Sequence, residues 1–104
     1  MKVELISDKS ELSKEGDMYV ITYNPLKYKE SSQIKLEISE IELKDISARP
    51  GCVKCTTVST KINQDSVTLS ISYDTKNLGN FDKRVSFFHQ GQLTQFKIKG
   101  TVIQ

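Results

Sequence analysis

The residues of this chain that could do chemistry are few, and the pair Cys52-x-x-Cys55 is the sharpest group among them. Two cysteines at that spacing suit several ends. A redox pair needs one thiol activated, usually at a helix N-terminus. The residues that follow, Val53 to Thr60, are β-prone, so that setting is missing. A structural zinc site needs four ligands. Cys52, Cys55 and His89 are the strong ligands available, so a closed site would need an aspartate or a second subunit. A local disulfide fits the spacing and forms in an oxidising compartment. The remaining reading is two half-buried thiols beside a loop, and the residues alone leave all four open.

Other reactive side chains are isolated. His89 is the single histidine, and no serine or acid stands at a spacing that would make it a catalytic base. Glu37, Glu40, Glu42 and Asp45 form an acidic group, but without the glycine turn and ligand spacing of a calcium loop they read as a solvated strand face. Phosphate-binding and dinucleotide-binding glycine motifs are absent. With so little titratable machinery clustered, an enzyme is not expected, and no cofactor or resident metal is implied.

The elements that would carry these residues are strands. Val, Ile and Thr make up 25 of 104 residues while alanine occurs once, a balance that suits pleated sheet and not helix. The organising stretch is Ser66 to Phe88. There Val67, Leu69, Ile71 and Tyr73 alternate with Thr68, Ser70 and Ser72, the period-two pattern of a strand with one buried face. A polar connection from Asp74 to Asp82 follows, then Val85 and Phe87 resume the alternation, so the unit reads as a hairpin.

Around it the chain reads as short strands and turns. Val3 and Leu5 open a first strand, and Asp8 to Asp17 is polar and read as a loop, with a helical turn at Ser10 to Leu12 as the alternative. Met18 to Tyr23 has apolar residues on both faces and suits a central strand, ended by Asn24-Pro25. Ile34, Leu36 and Ile38 alternate, and the phase slips at Ser39-Glu40 before Ile41 and Leu43. That predicts a bulge in one long strand or two strands meeting at a corner, with an amphipathic helix as third choice. Arg49-Pro50-Gly51 is a turn, Cys52 to Lys61 an edge strand, and His89 to Gln92 a hairpin turn. In the last strand, from Leu93, Phe96, Ile98 and Val102 share a face, and Gly100 marks a bulge or a close approach by another chain. Lys97 and Lys99 read as edge lysines that discourage sheet-to-sheet pairing. The expectation is one all-β domain over residues 1–104, a Greek-key β-sandwich of immunoglobulin type with about seven strands, a barrel being the alternative.

The run from about Asp45 to Val102 resembles an uncharacterised family of bacterial immunoglobulin-like domains related in style to the ASH/Hydin group. Three pieces carry the resemblance: Gly51-Cys52-Val53-Lys54-Cys55-Thr56, then Tyr73-Asp74-Thr75-Lys76-Asn77-Leu78-Gly79-Asn80-Phe81, then Phe96-Lys97-Ile98-Lys99-Gly100. The family pattern has one residue between the cysteines where this chain has two. The resemblance implies a sandwich that binds or scaffolds, with no catalytic activity. In physical terms Tyr73 and Phe81 would close one end of the core, Asp74 and Thr75 would hydrogen-bond turn backbone, and Gly79 would take positive φ.

Function is therefore expected to lie in protein–protein contact within a larger assembly, through sheet edges and the loops around Leu26 and Asn77. An accessory or decoration protein of a phage capsid is the first such assembly, with capsid proteins as partners and oligomerisation allowed. The alternative is an envelope or secreted module with a Cys52–Cys55 disulfide or metal clip. A net charge of +2 argues for neither nucleic acid nor membrane surface, although residues 53–104 carry net +4 and would steer an acidic partner. No apolar run reaches the ~20 residues of a membrane helix and no signal-like h-region opens the chain, which favours a cytoplasmic or virion location over a secreted one.

Overall fold

The computed structural model describes residues 1–7 and 9–104. Its regular elements are all strands, arranged as two facing sheets. In chain order they are β1 (Lys2–Leu5), β2 (Ser10–Glu15), β3 (Met18–Tyr23), β4 (Leu26–Lys27), β5 (Ile34–Ser39), β6 (Ser47–Pro50), β7 (Thr56–Ile62), β8 (Ser66–Tyr73), β9 (Gly79–His89) and β10 (Gln92–Ile103). One sheet runs β1-β5-β8-β7; the other runs β2-β3-β10-β9-β6, with β4 also on β10. No helix among the described residues is long and apolar enough to cross a membrane.

Alternating side chains build the core. Ile34, Leu36 and Ile38 of β5 and Val67, Leu69 and Ile71 of β8 face Ile21 of β3, Val85 and Phe87 of β9, and Phe96 and Ile98 of β10, all fully buried or nearly so. Burying each such side chain is worth about 1.5–3 kcal/mol. The β9–β10 hairpin turns through Gln90 and Gly91, both at positive φ (51° and 76°), the geometry that matches strand twist in a two-residue turn.

Among the described residues ten strands form where about seven were expected, for local reasons. The polar stretch after Asp8, which itself lies outside the described residues, is not a loop: Ser10 to Glu15 pairs antiparallel with β3 and closes through Gly16 at φ 60°. Backbone pairing holds this strand, so its side chains carry little of the pattern. Met18 to Tyr23 forms the expected strand, β3, and Pro25, which lacks an N–H, interrupts the parallel ladder on β10; pairing then resumes at Leu26–Lys27 as β4, inside what was expected to be a connection. Leu26, expected in a contact loop, is buried in β4.

The Ser66–Phe88 unit is not a hairpin. β8 belongs to the four-stranded sheet and β9 to the six-stranded one, and the connection between them crosses the sandwich. Nor does the strand at Ile34 continue after the phase slip. It stops at Ser39, Glu40 takes φ 60°, and Ile41, Leu43 and Ile46 pack on the core from an irregular loop.

The close approach at Gly100 comes from this chain's own side chains and not from another chain: a Cβ there would lie 3.0 Å from the Phe81 ring and 3.1 Å from Tyr23 Cβ. Lys97 and Lys99, by contrast, are not on an edge. β10 lies between β3 and β9, and the Lys97 ammonium reaches Asp82 at 3.4 Å and Glu15 at 3.9 Å across the neighbouring strands. Its stem helps to cover Val20, which is buried on the outer face beside it.

Candidate functional site

Tertiary structure gathers most of the singled-out residues at one end of the sandwich. β8 ends there at Tyr73 and β9 begins there at Gly79, so the Tyr73 and Phe81 rings meet across the two sheets and stack with centroids 3.9 Å apart. Tyr23 adds an edge-on ring 5.6 Å from Phe81. The connection between β8 and β9 is a polar turn. Lys76 N–H donates to Asp74 Oδ1 (3.0 Å), Asn77 N–H to the Asp74 carbonyl (3.2 Å), and Gly79 sits at φ 104°. Thr75 is buried and its hydroxyl donates to the Glu30 carbonyl (2.7 Å), tying the turn to the segment before β5.

Ser32 is the residue at this end that sequence reasoning passed over. The β5–β8 register would place it opposite Tyr73, but β5 has not yet begun. Its side-chain oxygen takes the place of the missing backbone pair: it accepts from Tyr73 N–H and donates to the Tyr73 carbonyl. A serine two residues before an alternating apolar run was the signal in the sequence, and it is a weak one.

The cysteines join this end from the flank. Cys52 and Cys55 are bonded to each other, with Cα atoms 5.5 Å apart. Gly51 N–H donates to the Arg84 carbonyl (2.8 Å) on one sheet, and the Cys55 carbonyl accepts from Asp74 N–H (2.7 Å) on the other. The Gly51–Cys55 loop therefore laces the sheets together, with Thr56 N–H donating to the Cys52 carbonyl (2.9 Å) inside it. Gly51, Cys52, Cys55, Tyr73, Asp74, Thr75, Gly79 and Phe81 thus act on one connected region.

His89 does not join them. It closes β9 eight residues beyond Phe81, about 26 Å along an extended strand. There it is buried against Phe87, and its Nδ1 has no hydrogen-bond partner. Among the described residues no three His, Cys, Asp or Glu side chains are grouped to hold a metal ion. The acidic group is dispersed as well: Glu37 is exposed on β5, Glu40 and Asp45 sit at positive φ in the loop, and Glu42 accepts from Gln90 (3.0 Å).

An open cleft of about 550 Å³ lies beside the aromatic end, lined by Ile6, Tyr23, Leu26, Glu30, Gln33 and Ile34 among others. Its polar groups are largely engaged by the fold: Ser32 holds Tyr73, the Glu30 carboxylate accepts from Lys27 N–H (2.7 Å), and Ser7 Oγ accepts from Lys35 N–H (3.3 Å). The Tyr23 hydroxyl is sealed in without a partner, and burial pushes its pKa upward. This arrangement positions strands and turns.

Compared with known proteins, the chain matches no family model, no curated protein and no solved structure.

Proposed function

We propose that this chain is an immunoglobulin-like module that works without catalysis, by protein–protein contact in a larger assembly. Strand order supports the immunoglobulin-like part. The layout β1-β5-β8-β7 opposite β3-β10-β9-β6 has the sequence logic of the A-B-E-D and G-F-C sheets of that fold, with the strand before β5 running parallel to the last strand. The resemblance of the cysteine, Tyr73–Phe81 and Phe96–Gly100 pieces to bacterial immunoglobulin-like domains points the same way.

The observation that carries the functional reading is the open edge of the four-stranded sheet at β7, a ready template for another chain. The turn between β8 and β9, exposed at Asp74, Lys76, Asn77 and Leu78 around the buried Thr75, offers a second contact region at the aromatic end. A phage particle, with this chain as an accessory or decoration protein of the capsid, is the first assembly to test. Size-exclusion chromatography with light scattering, on the purified chain and on particles from its source, makes the test. Recovery with particles supports the reading. A strict monomer that never travels with a larger species overturns it.

The bond between Cys52 and Cys55 favours a second setting for the same kind of module, in an envelope or secreted location, since such bonds persist where the medium is oxidising. Thiol titration of freshly isolated protein with and without denaturant, with metal analysis alongside, tests it. Two titratable thiols and no metal would remove this setting.

A further inference from the structure

Among the described residues the two sheets end in four edge strands, and three of them are shielded. β1 has four residues, β6 has four and ends in Pro50, and β2 carries Glu11, Lys14 and Glu15. Shortness, charge and proline are the usual protections of an exposed edge. β7 differs. Its seven residues, TTVSTKI, contain no proline, and its register with β8 runs unbroken from Thr56↔Tyr73 to Ile62↔Val67. Lys61 is its one charged residue.

The hydrogen-bond phase of this edge follows from two bonds at its ends. Asn63 N–H donates to the Ser66 carbonyl (2.8 Å), and Asp74 N–H donates to the Cys55 carbonyl (2.7 Å). Both pairs extend the β7–β8 register, and antiparallel ladders alternate bonded with unbonded pairs. Thr57, Ser59 and Lys61 therefore spend their backbone groups on β8, while Thr56, Val58, Thr60 and Ile62 turn theirs outward. Thr56 N–H is engaged by Cys52. Among the described residues no backbone bond outside the ladder uses the N–H of Val58, Thr60 or Ile62. β6 lies close to β7 at the corner but its ladder is with β9. Val58 is only half-buried and Ile62 is 57 % exposed, so apolar surface waits on the same edge.

Charge selects the occupant. Lys54 and Lys61 bracket the strand, and among the described residues neither is in a salt bridge. Gly51, bonded to the Arg84 carbonyl, brings the Lys83-Arg84 segment of β9 to the same flank. Resting on the interaction-module reading above, we infer that β7 receives an extended acidic segment of a partner protein as a fifth strand of the four-stranded sheet. Main-chain bonds to Val58, Thr60 and Ile62 hold the segment, and acidic side chains toward its two ends meet Lys54 and Lys61. A segment of about seven residues spans the strand.

The test uses a fluorescein-labelled peptide of alternating valine and threonine with glutamate at both ends, and a matched peptide with lysine in place of glutamate, in anisotropy titrations at low and high salt. Thr60→Pro removes an outward N–H and leaves the β8 ladder intact. The double variant Lys54→Glu/Lys61→Glu reverses the charge and touches only exposed side chains, so it serves should Thr60→Pro fail to fold by circular dichroism. The expected result is salt-sensitive binding of the glutamate peptide, roughly tenfold weaker for either variant and for the lysine peptide. Absence of binding, equal binding by the variants, or a wild-type dimer that Thr60→Pro dissolves would each overturn it, the last by giving the edge to a second copy. Particle association that survives Thr60→Pro would overturn the edge assignment while leaving the broader reading in place.

Discussion

Tyr73 and Phe81 lie eight residues apart in sequence and stack face to face from opposite sheets, their ring planes 11° apart. The stack joins the end of β8 to the start of β9, and Gly100 opposite Phe81 leaves the space that the ring occupies. Removing the ring should empty this end of the core. Phe81→Ala is expected to lose about 3–5 kcal/mol of unfolding free energy, read from urea denaturation. Gly100→Val attacks the same contact by overfilling it, and should cost about 1–3 kcal/mol. If both variants matched the wild type, the ring stack would have no structural weight.

Ser32 is expected to matter more than an ordinary serine. Its hydroxyl satisfies both backbone groups of Tyr73 in a buried position. Ser32→Ala strands a buried N–H and C=O, at a cost of about 1–3 kcal/mol. Amide hydrogen exchange at Tyr73 should accelerate beyond what the global loss explains. Unchanged protection at Tyr73 would show that another group had replaced the serine.

Reduction of the Cys52–Cys55 bond should loosen the lacing between sheets. The loop it closes is short, so the chain-entropy contribution is about 2 kcal/mol. Denaturation with and without dithiothreitol, and of the Cys52→Ser/Cys55→Ser variant, should show matching losses. Equal stability of oxidised and reduced protein would mean that the Gly51–Arg84 and Asp74–Cys55 backbone bonds hold the loop by themselves.

Alkaline pH should destabilise the fold through its tyrosines. Burial raises the Tyr23 pKa, and burial first and the Asp74 carboxylate second raise that of Tyr73. A group raised in the folded state keeps its full contribution below the unfolded value. Stability should therefore hold up to about pH 10, where free tyrosine ionises, and fall as pH climbs toward the folded values. Tyr23→Phe should flatten much of that fall. At neutral pH it should be close to neutral or stabilising, because the hydroxyl is buried without a partner. A steep alkaline loss retained in Tyr23→Phe would place its origin elsewhere.

How much of this was legible in the chain differs from element to element. Val67, Leu69 and Ile71, or Phe96 and Ile98, declare a buried face through alternation alone, and all of them are buried. Ser10 to Glu15 declares nothing, because a polar edge strand is held by main-chain bonds that any side chains permit. The apolar positions at Ile41, Leu43 and Ile46 pack against the core without being strand, since burial of a loop side chain needs no fixed period. Ser32 and the sealed Tyr23 hydroxyl belong to the candidate site and were missed, as one hydroxyl among many carries no mark of what it will bond.

By itself the order of side chains determined that this protein is made of strands and, wherever apolar residues alternate, which of them face the core, because alternation is a local property of extended backbone. Only the tertiary structure decided who neighbours whom. Period-two pattern is the same whether two strands lie side by side or face one another across a core, so β8 and β9 could be read as a hairpin although they stand in different sheets. The choice among partners is made by long-range packing. That packing brought Cys55 to Asp74, set His89 apart at the far end, and left β7 with one side unpaired.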